Sequence, residues 1–417
     1  MTNDGLVVGL DVGTTKVCAV IGERNENGNI EITGVGLSPS TGLRKGVVVN
    51  IEATLRSVSQ AIESAEMRSG REVHTCWTGI GGSHIEGIHS RGVVTVAGKG
   101  RDETREISRD DINRVLEVAR AVVIPMDRQV LAVIPQSYTV DNQKGIRDPL
   151  DMRGMRLEAD VHIITCSATS AGNLVKCVNR AGFRVNDLAL QSIASGRAVL
   201  TEEERDMGVA LIDLGGGTTD LLVYSEGAPY YAATVPAGGG QVTNDISILN
   251  HISPENAEKI KLEAGCCWEG LLEEDADVIV PGVGSRPPQA IPKSRILAII
   301  KPRMEEIFKM VKEHLDKLTL ARPLGGGVVL TGGGAMLQGA AELAQDIFTL
   351  PVRTGLPLRV DGLTDEFCSP VYASAIGLAL EGNDRELKPL EREMRPRDKG
   401  QADLFGKLRD WLTKEFF

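Results

Sequence analysis

Two short stretches of this chain, 202 positions apart, repeat one pattern, and that pattern restricts the fold more than any other feature. In the first, the apolar run Leu6-Val7-Val8-Gly9-Leu10 ends in Asp11. The chain breaks at Gly13-Thr14-Thr15-Lys16 and resumes as Val17-Cys18-Ala19-Val20-Ile21. In the second, Val209-Ala210-Leu211-Ile212 ends in Asp213, breaks at Gly215-Gly216-Gly217-Thr218-Thr219, and resumes as Leu221-Leu222-Val223-Tyr224. Apolar, β-branched runs of this length bounded by turn residues read as buried strands. A buried strand, an acid, a Gly/Thr turn and a second buried strand, found twice, predict an internal duplication into two related α/β halves.

The turn residues suit a nucleoside triphosphate. Glycine lets the backbone approach phosphate oxygens and donate its N–H groups to them. The hydroxyls of Thr14, Thr15 and Thr218 add donors, and Lys16 can neutralise charge on the terminal phosphates. Asp11 and Asp213, each at a strand end, suit a hydrated Mg²⁺, which keeps several waters and takes few carboxylates. A single turn of this kind would equally be an ordinary hairpin; matching acids in both copies favour the phosphate reading. Neither a Walker P-loop nor a G-x-G-x-x-G fingerprint competes with it. A third element fits the same ligand: the strand-like Gly326-Gly327-Val328-Val329-Leu330-Thr331 enters Gly332-Gly333-Gly334-Ala335, and a helical pattern follows through Leu337, Ala341, Leu343 and Ala344. Three glycines at a helix start admit a flat base or its phosphates, although a tight strand-to-helix turn would use the same residues.

A chain of 417 residues exceeds the ~250–300 at which single cores stop growing, so two or more domains are expected. A net charge of −11 argues against bulk nucleic-acid binding, which needs clustered Lys and Arg. Seven cysteines, an odd number scattered along the chain, predict reduced thiols in the cytoplasm. The adjacent Cys266 and Cys267 lack metal-ligand spacing and read as small core residues. Met1-Thr2-Asn3-Asp4 begins no secretory signal, and no apolar run reaches transmembrane length.

With these residues in view, the chain resembles the actin-like ATPase superfamily, an α/β fold of two related ribonuclease H-like halves that clamp ATP. Asp11-Val12-Gly13-Thr14-Thr15-Lys16 resembles its first phosphate motif, Asp213-Leu214-Gly215-Gly216-Gly217-Thr218 its second, and Thr331-Gly332-Gly333-Gly334-Ala335 its adenosine motif. Ala257-Glu258-Lys259-Ile260-Lys261 is similar to the helix that contacts ribose and adenine. That match assigns Glu258 and Lys261, a pair that would otherwise read as a surface i,i+3 ion pair. Within the superfamily, Val133-Ile134-Pro135-Gln136-Ser137-Tyr138, Asp148-Pro149-Leu150, Val161-His162-Ile163-Ile164-Thr165, Ser285-Arg286-Pro287-Pro288 and Gly362-Leu363-Thr364-Asp365 resemble the FtsA family of bacterial cell-division proteins.

The resemblance implies subdomain 1A at 1–83, 163–196 and 361–381, with a relocated subdomain 1C at 84–162. It implies subdomain 2A at 197–245 and 305–360, and subdomain 2B at 246–304. A charged linker at 382–403 and a membrane-targeting helix at 404–417 complete the expected order. It further implies ATP and Mg²⁺ as ligands, self-association into actin-like polymers and FtsZ as partner. The expected location is the cytoplasmic side of the membrane at the septum, where other division proteins would gather. A residue that orients water for hydrolysis is not placed, so weak or no turnover is expected.

Two regions bear on partners. Between Pro281 and Met304 there is no acid, while Arg286, Lys293, Arg295, Lys301 and Arg303 supply five cations. Such segregation is often only a solvated face, but it also attracts acidic partners. The resemblance places this segment in subdomain 2B, where the acidic C-terminal tail of FtsZ docks. At the C-terminus, Leu404, Phe405, Leu408, Trp411, Leu412 and Phe416 fall along one side of a helix, opposite Lys407, Arg409, Asp410, Lys414 and Glu415. Fourteen residues are too few to span a bilayer, so the segment would lie in the interface. The charged, Pro389- and Pro396-bearing stretch before it reads as a solvated tether, against the alternative of a helix docked on its own domain.

Other readings share this core. A PilM-like scaffold of type IV pilus assembly has it but is shorter and lacks the amphipathic tail. A small-molecule kinase would need a base poised at the transferring phosphate, and no such constellation is visible.

Overall fold

The computed structural model of the chain describes residues 5–96, 104–272, 275–281, 287–318, 320, 323–357 and 360–387. The first half opens with β1 (Leu6–Val12), β2 (Lys16–Arg24) and β3 (Ile30–Pro39), then the short pair β4 (Leu43–Arg44) and β5 (Val47–Val48), α1 (Ile51–Ser69) and β6 (Thr75–Ile80). Local chemistry sets the ends of α1: the Asn50 side chain accepts the Ala53 N–H, and Gly70 closes the helix in the left-handed conformation at φ 68°. An insertion follows, made of β7 (Glu86–Thr95), β8 (Arg105–Glu106), α2 (Arg109–Arg120), β9 (Arg128–Val140), β10 (Gln143–Ile146), β11 (Arg153–Gly154) and β12 (Arg156–Ser167). The chain returns to the first half through α3 (Ala168–Arg180), β13 (Arg184–Leu190) and α4 (Gln191–Val199).

The second half runs from α5 (Glu202–Met207) through β14 (Val209–Leu214), β15 (Thr219–Ser225) and β16 (Ala228–Val235). Next come α6 (Gly239–Asn250), α7 (Pro254–Ala264), β17 (Asp277–Val280), β18 (Gln289–Pro292) and the long α8 (Lys293–Asp316). It closes with β19 (Val328–Thr331), α9 (Ala340–Phe348) and β20 (Val352–Thr354), after which α10 (Ala373–Leu387) crosses back to the first half.

The two main sheets have five strands each, ordered β13-β6-β1-β2-β3 and β16-β15-β14-β19-β20. They are one topology read in opposite directions. In each, three consecutive strands pair antiparallel, and two later strands add in parallel beyond the first of them. The duplication expected from two hairpins is therefore a duplication of whole sheets. β1 and β14 are buried almost throughout, because helices cover both faces, and this is why they read as unbroken apolar runs.

Helices α4 and α10, at matching places in the two halves, pack on each other at the middle of the molecule. A Cβ on Gly377 would lie 1.8 Å from the Ala194 carbonyl oxygen, and one on Gly9 would lie 2.2 Å from that of Ala375. Only glycine allows α10 so close to both α4 and β1. The insertion forms its own sheet, β10-β9-β12-β7. Its small core includes Leu157 and Ile163 beneath Val115 of α2. It leans on the second half, where the Gln136 Nε2 donates to the Pro229 carbonyl at 2.7 Å.

One boundary differs from expectation. α10 continues to Leu387, so residues 382–387 belong to a docked helix rather than to the tether. Their charges are paired instead of solvated: Glu386 with Arg24 at 3.0 Å, Arg385 with Asp187 at 2.9 Å, and Asp384 with Arg197. The remainder of the tether, 388–403, lies outside the described residues.

Candidate functional site

The two hairpins close with the same hydrogen bond. Gly13 N–H donates to the Lys16 carbonyl at 2.9 Å, and Gly215 N–H donates to the Thr218 carbonyl at 3.0 Å. The turns meet tip to tip. A Cβ on Gly216 would lie 2.3 Å from Thr15 Cγ2, and one on Gly217 would lie 2.7 Å from Thr14 Oγ1. Thr14 Oγ1 also accepts the Gly46 N–H at 3.0 Å, which holds it at the tip. A Cβ on Gly215 would lie 2.9 Å from the Thr218 carbonyl oxygen, so this glycine is required by the turn itself as well as by any phosphate above it.

Asp11 and Asp213 are both buried at the bases of these turns. Burial pushes the Asp11 carboxyl up to about 6; Lys16 opposes the rise, the Asp213 charge adds to it, and the Gln191 hydrogen bond opposes it. Asp213 is raised by burial as well, against the pull of its Ser195 hydrogen bond, of Lys16 and of Ser374. The partners are specific. Gln191 Nε2 donates to Asp11 Oδ1 at 2.5 Å, while Ser195 Oγ and Ser374 Oγ donate to Asp213 Oδ2 at 2.6 and 3.2 Å. Lys16 Nζ itself donates to the Val371 carbonyl, just ahead of α10.

A third acid belongs to the group. Asp220 faces Asp213 in the β14–β15 register. Burial pushes it up to about 7; a hydrogen bond from Thr234 opposes this and the Asp213 charge reinforces it. No group of three or more His, Cys, Asp or Glu is arranged to hold a metal directly among the described residues. The hard oxygen donors Asp11 and Asp213 instead fit a cation bound through its own waters.

Helices α6 and α7 pack beside the second turn. Gly239 N–H and Gly240 N–H, at the start of α6, donate to the Gly215 and Gly216 carbonyls at 2.9 and 2.7 Å. The helix N-terminus therefore points at the second turn, a favourable end for an anion. Glu258 and Lys261 form the i,i+3 pair at 2.7 Å, and Lys261 Nζ also donates to the Gly239 carbonyl at 3.2 Å and to Thr243 Oγ1 at 3.0 Å. The i,i+3 ion pair that these residues suggest on their own is therefore formed.

Gly332 adopts φ 79°, and its Cβ would lie 2.3 Å from Asp213 Oδ1. Gly334 packs on Leu214, whereas Gly333 has no atom within 4 Å of a Cβ and faces open space. Reasoning from sequence missed Gln191, Ser195 and Ser374, which have no local signature. It also missed Asp220 and the Gly238-Gly239-Gly240 run, although both carry a local signal, the first at the end of the second turn and the second as glycines opening a helix.

The basic segment is less uniform than its composition. Lys301 pairs with Glu269 at 2.9 Å, and Arg303 pairs with Asp245 at 2.6 Å and with Glu306. Lys293 and Arg295 lie at the start of α8, and Arg286 lies outside the described residues. So do Leu404, Phe405, Leu408, Trp411, Leu412 and Phe416. Among the described residues no helix is long and apolar enough to cross a membrane. Cys266 and Cys267 are buried and form no disulfide, as small core residues do.

Comparison with known proteins adds lineage to this geometry. Residues 210–377 match the family model for "Cell division protein FtsA", and residues 82–165 match that for "SHS2 domain inserted in FTSA". A cell division protein FtsA from Borreliella burgdorferi is 45% identical over 413 residues, covering 99% of each chain. One from Pseudomonas aeruginosa is 40% identical over 415 residues, covering 99% of this chain and 98% of its own. Among solved structures, a PilM-PilN type IV pilus biogenesis complex aligns with TM-score 0.63 at 18% identity, over 90% of this chain and 98% of that one. MreB5 of Spiroplasma citri bound to ADP aligns with TM-score 0.54 at 15% identity, over 95% and 100%. At such identities these two likenesses speak for the actin-like fold alone.

Proposed function

The chain belongs to the FtsA family of cell division proteins, and from that premise we propose that it binds ATP with Mg²⁺ between its two halves and joins FtsZ filaments to the cytoplasmic face of the membrane at the septum. The observation that carries the nucleotide reading is the pair of buried acids beneath two facing turns. Asp11 is raised partly by the charge of Asp213, and a divalent cation would relieve that repulsion. Backbone N–H groups, threonine hydroxyls and Lys16 would take the phosphates, and Glu258 and Lys261 would take the ribose and base. Gly333, with open space before it, is where a flat base can approach the backbone.

For the FtsZ tail, Lys293 and Arg295 with Arg286 are the cations proposed to attract acidic residues. Arg303 is set apart from them, because its guanidinium is engaged by Asp245 and its reversal would break an internal pair. The membrane foot is proposed to be residues 404–417, with Trp411 as its largest anchor, and self-association would multiply weak single attachments into firm ones.

A titration of a labelled ATP analogue with and without Mg²⁺ tests the core of this reading. Affinity should fall when Mg²⁺ is removed, and Asp213→Asn should lose most of that dependence; equal affinity with and without the cation would overturn it. For the foot, Trp411→Glu should leave the protein in the soluble fraction of a vesicle flotation assay. Flotation equal to wild type would return the segment to a merely docked helix.

A further inference from the structure

The segment between β3 and α1 is lashed to the first turn at two points. Ser40 N–H donates to the Thr15 carbonyl and Gly46 N–H to Thr14 Oγ1, both at 3.0 Å. Between them lies the β4–β5 hairpin, in which Arg44 pairs with Val47 and only Lys45 and Gly46 make the turn. The Gly42 carbonyl closes its base by accepting the Val49 and Asn50 N–H groups at 2.9 and 3.0 Å. The tip also rests on the loop after β6, where a Cβ on Gly46 would lie 2.7 Å from the Gly81 carbonyl oxygen. A two-residue turn anchored in this way stays beside Thr14.

Lys45 and Gly46 have φ of 50° and 78°, the left-handed pair that a two-residue turn of this kind demands. Glycine meets that demand freely and asparagine nearly so, whereas lysine has no local reason to be there. A non-glycine residue held in this conformation is a reason to ask what its side chain does. Lys45 is exposed, as is Arg44, and neither makes an ion pair among the described residues. In the same segment the Ser40 hydroxyl oxygen is buried without a hydrogen-bond partner. An uncommitted cation and an orphaned hydroxyl, both tied to one Gly/Thr turn, suit an anionic ligand.

We propose that this hairpin senses the γ-phosphate, with Lys45 donating to it, and that the chain tells ATP from ADP here. The inference rests on the nucleotide reading above. Gly333, Glu258 and Lys261, given there to the base and ribose, all belong to the second half. The hairpin belongs to the first half, and the Thr14 hydroxyl it holds faces Gly217, where the two turn tips meet. A cation brought to that place meets the far end of the phosphate chain rather than the sugar. Lysine's flexible four-carbon stem supplies the reach. Lys16 does not make it redundant, because its ammonium already donates to the Val371 carbonyl and has fewer of its three donors left for phosphate.

Lys45→Asn in the full-length protein is the decisive variant, because Asn-Gly is the dipeptide this turn prefers. Melting temperature should hold or rise while the ammonium is lost. With Mg²⁺ present, affinity for a non-hydrolysable ATP analogue should fall about ten-fold or more, as loss of a hydrogen bond to a charged group does, and affinity for ADP should stay within about two-fold. Lys45→Arg should keep most of the affinity for the ATP analogue. Hydrogen exchange of residues 43–48 in the wild type should slow more with the ATP analogue than with ADP, and Lys45→Asn should erase that difference. Equal losses for the two nucleotides, or no loss for either, would overturn the proposal and leave the nucleotide reading standing. Wild-type protein that binds neither nucleotide would overturn both.

Discussion

The two hairpins share a backbone and divide the chemistry. Each is closed by the same i to i+3 hydrogen bond, and each carries its acid in the same register, Asp11 opposite Cys18 and Asp213 opposite Asp220. The side chains at matched places differ: Thr14, Thr15 and Lys16 stand where the second turn has Gly216, Gly217 and Thr218. The contact between the tips explains the division. Thr15 and Thr14 occupy the space that a Cβ on Gly216 or Gly217 would need, so only one turn can carry side chains there. The first carries hydroxyls and a cation at its tip, and the second carries backbone alone at Gly216 and Gly217. Across the strand the asymmetry is electrostatic. Cys18 lies fully buried in the apolar core, while Asp220 is met by the hydroxyls of Thr234 and Thr218 at 2.5 and 3.5 Å. Duplication preserved what backbone hydrogen bonds enforce and left side chains free to specialise.

The sharpest way to break this comparison is to give the first hairpin the second one's acid. Cys18→Asp buries a carboxylate in the apolar core, and should cost on the order of 4 kcal/mol or prevent folding. Asp220→Cys should cost far less in the same denaturant titration. Similar losses in both would mean that the two environments are equivalent.

A smaller effect should come from the tips. Gly216→Val places its side chain on Thr15 and should weaken binding of an ATP analogue by about 2 kcal/mol, roughly thirty-fold. Thr15→Gly in the same protein should recover part of that loss. If the double variant binds no better than Gly216→Val alone, the tips do not interact as the geometry requires.

The smallest effect is in pH dependence. An acid raised in the fold holds its proton more tightly in the native than in the unfolded state. Stability from Asp220 therefore rises as pH falls from about 7 towards its ordinary 3.8. Asp220→Asn should flatten the gain in melting temperature between pH 8 and pH 5, leaving the part due to Asp11 and Asp213, both also raised by burial. Cys18, pushed up to about 12 by burial, stays neutral over this range, so Cys18→Ser should leave the profile unchanged. Parallel profiles for wild type and Asp220→Asn would show that the hairpins do not differ electrostatically.

What could be read without coordinates was what is local. A hairpin is closed by residues three apart, so Asp11, Gly13, Gly215 and their strands announced themselves, and the 202-residue spacing announced the duplication. The charge of the 281–304 segment was equally plain, but charge counting could not show that Lys301 and Arg303 are already paired. Nor could the acids and bases at 384–386 be told from a solvated tether until their partners Arg197, Asp187 and Arg24 were seen.

The amino-acid sequence by itself determined two α/β halves, the two Gly/Thr turns, and the two acids beneath them. The tertiary structure alone decided how those acids are held. Gln191 reaches Asp11 across 180 positions and Ser374 reaches Asp213 across 161. Glycines that let α10 lie directly on α4 and β1 bring Ser374 into reach. A contact across such separations leaves no pattern in neighbouring residues, because it exists only once both sheets and their crossing helices are packed.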